Sequence, residues 1–151
     1  MRKLAGVMIL GFALAAVPSF GAVARAAASP RVVATYFHRT IRCQTCLQIE
    51  SLARYNVTDV MVSDIESGQL SWRTLNFEDE GNTHFEKEFG LDGPSLVITL
   101  EDGDTVLKWA RLDRVWEIYS DVDAFDKYVL GAVEEYLEEA SEFAVKKSKS
   151  Q

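Results

Sequence analysis

RVVATYFHRTIRCQTCLQIESLARY, residues 31–55, runs from a strand pattern through a cysteine pair into a helix pattern. Arg31 to Phe37 is a β-branched and aromatic run with only weak alternation, as expected of a buried strand. His38 to Arg42 is a polar loop. From Cys43 to about Tyr55, the apolar positions Cys46, Leu47, Ile49, Leu52 and Ala53 recur at helical spacing, with no Pro or Gly to interrupt them. Cys43 therefore sits at or just before the first turn of a helix that follows the strand.

Downstream, Val57–Ser67 has no decisive period and fits either an extension of the helical region or a connecting helix. Leu70–Phe77, LSWRTLNF, is a second strand, and Glu78–Gly81 is a polar turn. Asn82 is suited to cap a short helix from Thr83 to Phe89, with Phe85 and Phe89 on one face and Gly90 as its stop. Asp92-Gly93-Pro94 leads into a third strand, Ser95–Leu100. Asp102-Gly103 is a hairpin turn, and Thr105–Ala110 is its return strand. Arg111–Tyr119 is amphipathic. Asp121 or Asp123 can cap a last helix whose apolar stripe runs from Phe125 to Ala140, with Glu134, Glu135, Glu138 and Glu139 on its wet side. Trp72, Trp109 and Trp116 read as core or sheet-face aromatics, Trp116 with the alternative of a partner surface.

Both cysteines of the protein lie in the opening segment. At this spacing they do not staple distant parts of the chain, but in an exported protein they can close on each other as a redox-active disulfide. Thiolate is the reactive form of cysteine, and a helix N-terminus stabilises it with unpaired N–H groups and the positive end of the dipole. Cys43 is placed to benefit and is the expected nucleophile. Cys46, one turn on, is close enough to attack a mixed disulfide and is the expected resolving thiol. Arg39 and Arg42 can favour negative charge on sulfur, and His38 can do so only when protonated. His84 is a weaker candidate, on a short helix beside Glu86 and Glu88.

The same spacing supplies half of a zinc site. No second cysteine pair exists, and both histidines stand outside the ligand spacing, so no metal is expected. Two thiolates also suit a soft ion such as Cu(I), which leaves a soft-metal carrier as an alternative function. No Gly-rich phosphate loop is present and nothing looks like a flavin or nicotinamide site, so no cofactor is expected.

Arg2 and Lys3 precede an uncharged apolar run, Leu4–Val17, and a small-residue stretch, Ser19–Ala28. This reads as a signal peptide over residues 1–26, cleaved after Ala26, with Ala28 as the second choice. The run is shorter than the ~20 residues of a spanning helix. The expectation is an exported protein, periplasmic or extracellular, without stable membrane insertion of the mature chain; an uncleaved anchor is the alternative. Residues 27–145 then form one domain, and 146–151, with Lys146, Lys147 and Lys149, a disordered basic tail. The chain's net charge is −7, and losing Arg2, Lys3 and Arg25 with the first 26 residues takes it to −10. A surface that negative repels phosphate backbones, so nucleic acid is not an expected partner.

From Val32 to about Phe143 the chain resembles the thioredoxin-like superfamily, on Cys43-Gln44-Thr45-Cys46, Gly93-Pro94-Ser95 and the order of elements between them. Tyr36-Phe37-His38, Ile49-Glu50 after the cysteines, and Phe89-Gly90-Leu91 leading into Gly93-Pro94-Ser95-Leu96 look more closely like a small bacterial family labelled nitrophenyl compound nitroreductase subunit. The resemblance implies an α/β fold, a single domain with a four-stranded mixed sheet flanked by helices. It implies a cis Pro94 beside the disulfide, with Gly93, Pro94 and Ser95 leaving backbone groups free to bind a substrate strand. Its expected partners are a protein dithiol or disulfide and an unidentified redox partner that recharges the pair; service as the dedicated redox subunit of one protein is a further alternative. The nitroreductase reaction is not carried over. Gln44-Thr45 stands where thioredoxin has Gly-Pro, no acid occurs within Val32–Phe37, and no Trp precedes Cys43, so the direction of electron flow is left open.

Overall fold

The computed structural model describes residues 29–150; the expected signal peptide lies outside them. β1 (Arg31–His38) is buried from Val32 to Phe37 because it lies inside a four-stranded sheet of order β2-β1-β3-β4. β2 (Leu70–Asn76) runs parallel to it, and β3 (Ser95–Asp102) antiparallel on its other side. β4 (Thr105–Arg111) closes the hairpin with β3. Strands covered on both faces read as continuous apolar runs, which is why β1 and β3 lack alternation. The α/β architecture, one mixed sheet flanked by helices, is consistent with a thioredoxin-like single domain.

α1 (Gln44–Tyr55) connects β1 to β2, as a parallel pair requires, and buries Cys46, Ile49 and Ala53. The segment that the sequence left ambiguous is both things in turn. Asn56–Val60 continues α1 as a π-helical stretch, and after a break at Met61 α2 (Val62–Ser67) follows, ending on Gly68 at φ 78°. α3 is His84–Glu88, a residue shorter at each end than expected. Asn82 does not cap it with its side chain: the amide donates to the Asn76 carbonyl at 2.8 Å and closes the turn after β2. Gly90, at φ 62°, turns the chain after this helix. The hairpin loop falls one residue later than predicted, on Gly103-Asp104, and Gly103 takes φ 65°.

α4 (Val115–Ile118) precedes α5 (Val122–Lys149), which Asp121 rather than Asp123 caps, by accepting from the Ala124 N–H at 3.1 Å. α5 runs through the expected tail. Lys147 reaches both carboxylate oxygens of Asp102 at 2.8 Å, and its last turn carries the basic residues that favour the negative end of the dipole. Among the described residues no helix is long and apolar enough to cross a membrane.

The two sheet faces carry separate clusters. Val32, Ala34 and Tyr36 of β1 and Leu96, Ile98 and Leu100 of β3 pack with α1 and with Phe125, Val129 and Val133 of α5. Phe37 and Val97 face the other way, onto Phe77, Phe89 and Leu91. The sequence pairing of Phe85 with Phe89 holds: their rings stack 5.6 Å apart, and both touch Phe37. Trp72 packs partly buried against the α5-side core, whereas Trp109 is 43% exposed on the edge strand with its ring against Phe89.

Candidate redox site

β1 ends at His38, and the short loop to Arg42 returns the chain to the start of α1 at the same end of the sheet. Because β3 runs antiparallel and pairs Ser95 with Phe37, its beginning, and Pro94 just before it, lie at that end too. Topology thus brings the cysteines and the Gly93-Pro94-Ser95 turn to one end of the sheet.

Cys43 is the N-cap of α1 in extended conformation, φ −84° and ψ 161°, and its Sγ accepts the Cys46 N–H at 3.0 Å. The first turn carries no acidic residue, so nothing within it offsets the positive end of the helix. Cys43 and Cys46 are joined as a disulfide. Cys43 is exposed, while Cys46 is only 5% exposed, since its position on the inner face of α1 is the one Ile49 and Ala53 continue into the core. One sulfur is therefore open to an incoming group and the other is shielded.

Tyr36 rises from β1 beneath this turn and donates its hydroxyl to the Cys46 carbonyl at 2.9 Å. Burial pushes its hydroxyl up to about 12, against the opposing pull of Arg42. At neutral pH it stays a donor.

Of the three residues expected to tune the sulfur, none is left as an uncommitted charge. Arg42 pairs with Glu50 of α1, whose carboxylate also accepts from Thr74 of β2 at 3.3 Å. Arg39 donates to the Asp92 carbonyl at 2.9 Å and lies 4.0 Å from Glu78. His38 turns Nδ1 to the Arg39 carbonyl at 2.9 Å; a carbonyl only accepts, so this nitrogen carries the proton. Glu78 anchors the same loop: the Thr40 N–H donates to it at 2.8 Å, and that bond, with the Thr40 hydroxyl, Arg39 and His38, holds its carboxyl below the usual range. His84 is exposed on α3 against the Phe85 ring.

The Pro94 turn corrects an expectation. No cis peptide bond occurs among the described residues, so Gly93–Pro94 is trans, the isomer that X–Pro bonds favour by about 0.5–1 kcal/mol without other constraint. Its carbonyls are not free either. The Trp116 indole N–H donates to the Pro94 carbonyl at 3.1 Å, the Ser95 hydroxyl to that of Gly93 at 3.0 Å, and Arg39 to that of Asp92. Arg111 binds the Gly90 carbonyl and reaches the Asp92 carboxylate at 3.3 Å. Side chains from three other segments thus hold this turn.

Sequence reasoning missed Glu50, Tyr36 and Trp116 as parts of the site. Glu50 carried a signal, since it stands four residues after Cys46 on the same stretch of helix face. Trp116 carried none, because its role depends on where the segment after β4 folds back. No protein-family model matches the chain, and neither does any curated protein sequence.

Proposed function

We propose that the chain is an exported thiol:disulfide oxidoreductase of thioredoxin-like type, working through Cys43 and Cys46. The observation that carries this reading is the asymmetry of the pair: an exposed Cys43 at a helix N-terminus, its sulfur accepting the Cys46 N–H, and a shielded Cys46. A dithiol substrate's thiolate attacks the Cys43 sulfur. The Cys43–Cys46 bond breaks, and Cys46 leaves as a thiolate that takes up a proton. The substrate's second thiolate then attacks its own sulfur in the mixed disulfide, and Cys43 leaves. Two electrons pass from the substrate dithiol to the pair; run backwards, the reduced pair opens a substrate disulfide. The redox partner that recharges the pair is, in this reading, a second protein dithiol or disulfide.

Trapping tests the assignment of roles. Cys46→Ser, reduced and offered a disulfide substrate, accumulates a mixed disulfide on Cys43, because the resolving thiol is gone. Cys43→Ser accumulates none, its remaining thiol being shielded. Equal trapping by both variants, or by neither, would overturn the reading. Trapped in its own cells, Cys46→Ser also reports whether Cys43 serves many proteins or one dedicated partner. Export has a separate check: the protein recovered from the cell envelope should begin at Ala27, and one beginning at Met1 would count against a cleaved signal.

A further inference from the structure

We propose that two copies of this chain pair edge to edge through β4, so that their four-stranded sheets become one continuous sheet about a two-fold axis at Trp109. β4 is an outer strand, with only β3 beside it. The Leu112 N–H donates to the Leu96 carbonyl at 2.8 Å, which fixes the alternation along the hairpin. Ala110 and Lys108 turn their backbone groups toward Ile98 and Leu100, whereas Trp109 and Arg111 turn theirs outward. Outward N–H and C=O groups in a row are a template for another strand.

Soluble proteins guard such an edge with a lysine, a proline or a bulge. β4 has no proline, and the irregularity of the hairpin, between Leu100 and Glu101, lies toward its loop and leaves Lys108–Arg111 in regular register. Its lysine does not guard it either, because the Lys108 ammonium is drawn onto α5, 2.5 Å from Glu139, 3.5 Å from Glu135 and 4.5 Å from the centre of the Tyr136 ring. Leu107 and Trp109 meanwhile stand 41% and 43% exposed.

The strand is also its own complement, which makes a second copy the occupant. With the axis at Trp109, that residue meets its own copy in reciprocal backbone hydrogen bonds. Arg111 then lies opposite Leu107 of the second copy, and Lys108 opposite its Ala110. No charge faces a like charge, whereas an axis one residue earlier would set the two Lys108 side chains against each other. The cations of the edge are already matched within each chain, Lys108 by Glu135 and Glu139, Arg111 by Asp92 and Asp113. A strongly acidic molecule thus meets itself where it is locally neutral. The contact removes both Trp109 rings and both Leu107 side chains from water, and it closes at two copies because each uses the same edge.

Sedimentation equilibrium of the chain from residue 27 onward, run over about a hundredfold range of concentration, should show the mass rise from one copy to two and stop there. Hydrogen exchange of the dilute and the concentrated chain identifies the surface. The Trp109 and Arg111 amides should exchange freely when dilute and at least about tenfold more slowly where the dimer dominates. Leu107→Lys sets a cation opposite Arg111 of the second copy at both ends of the contact, and should raise the dimer dissociation constant about tenfold with circular dichroism unchanged. A single-copy mass at every concentration, a mass that grows past two, or a dimer whose Trp109 amide stays unprotected would each overturn the proposal. So would a folded Leu107→Lys that pairs as tightly as wild type; should that variant not fold, the exchange of the wild-type amides decides alone. None of these readouts involves the cysteines, so the redox role stands or falls separately.

Discussion

Arg42, next to Cys43 in the chain, pairs with Glu50, and each restrains the other. The guanidinium is adjacent in sequence to Cys43, yet its charge is spent on the Glu50 carboxylate, and its Nε is buried with no acceptor among the described residues. Neutralising the carboxylate releases that charge toward a thiolate. Glu50→Gln should therefore raise the iodoacetamide alkylation rate of reduced Cys43 at pH 6 by roughly two- to fivefold, and Arg42→Gln should lower it by a similar factor. Equal rates in both variants would show that the pair acts only on packing. Tyr36 gives a prediction with a sign set by linkage. An unfolded tyrosine loses its proton near pH 10, while the folded one holds it to about 12. The stability tied to this proton is complete below pH 10 and is lost as pH rises from 10 toward 12. Tyr36→Phe should cost about 1 kcal/mol at pH 7, from the lost bond to the Cys46 carbonyl, but should escape on the order of 1–2 kcal/mol of the alkaline loss. Urea unfolding at both ends of that range measures each part.

The elements around the site were legible to different depths. β1, α1 and the β3–β4 hairpin follow from patterns of adjacent residues, and Cys43 stands at the helix start where the pattern put it. The contacts that hold the Pro94 turn and the length of α5 were not legible, since both depend on partners distant in sequence: Trp116 and Arg39 for the turn, Asp102 for the last helical turns. α3, only five residues long, is held mainly by the aromatic cluster under it. Phe89, 3% exposed, touches Phe37, Phe85 and Trp109. Phe89→Ala should lower unfolding free energy by about 3–5 kcal/mol, measured by urea titration, because three aromatic neighbours cannot all collapse into the space. A loss below about 1 kcal/mol would mean that this face contributes little to the fold.

For the molecule as a whole, one sheet shares both clusters through β1 and β3, so neither face has an independent core. Tryptophan fluorescence and far-ultraviolet circular dichroism of the chain from residue 27 onward should report one coincident unfolding transition. Two separated midpoints would mean that the Phe37–Phe89 face melts apart from the α5 face. The reading of an α/β chain with a cysteine at a helix start needed only neighbours, because helical period, strand burial and N-capping are written within a few residues of each position. Which of the distant side chains close the Pro94 turn was decided by folding alone: Trp116, Arg39 and Arg111. Those contacts join residues tens of positions apart, and no local pattern encodes the meeting of Trp116 with Pro94 until the sheet and its crossing helices bring the two segments to the same end.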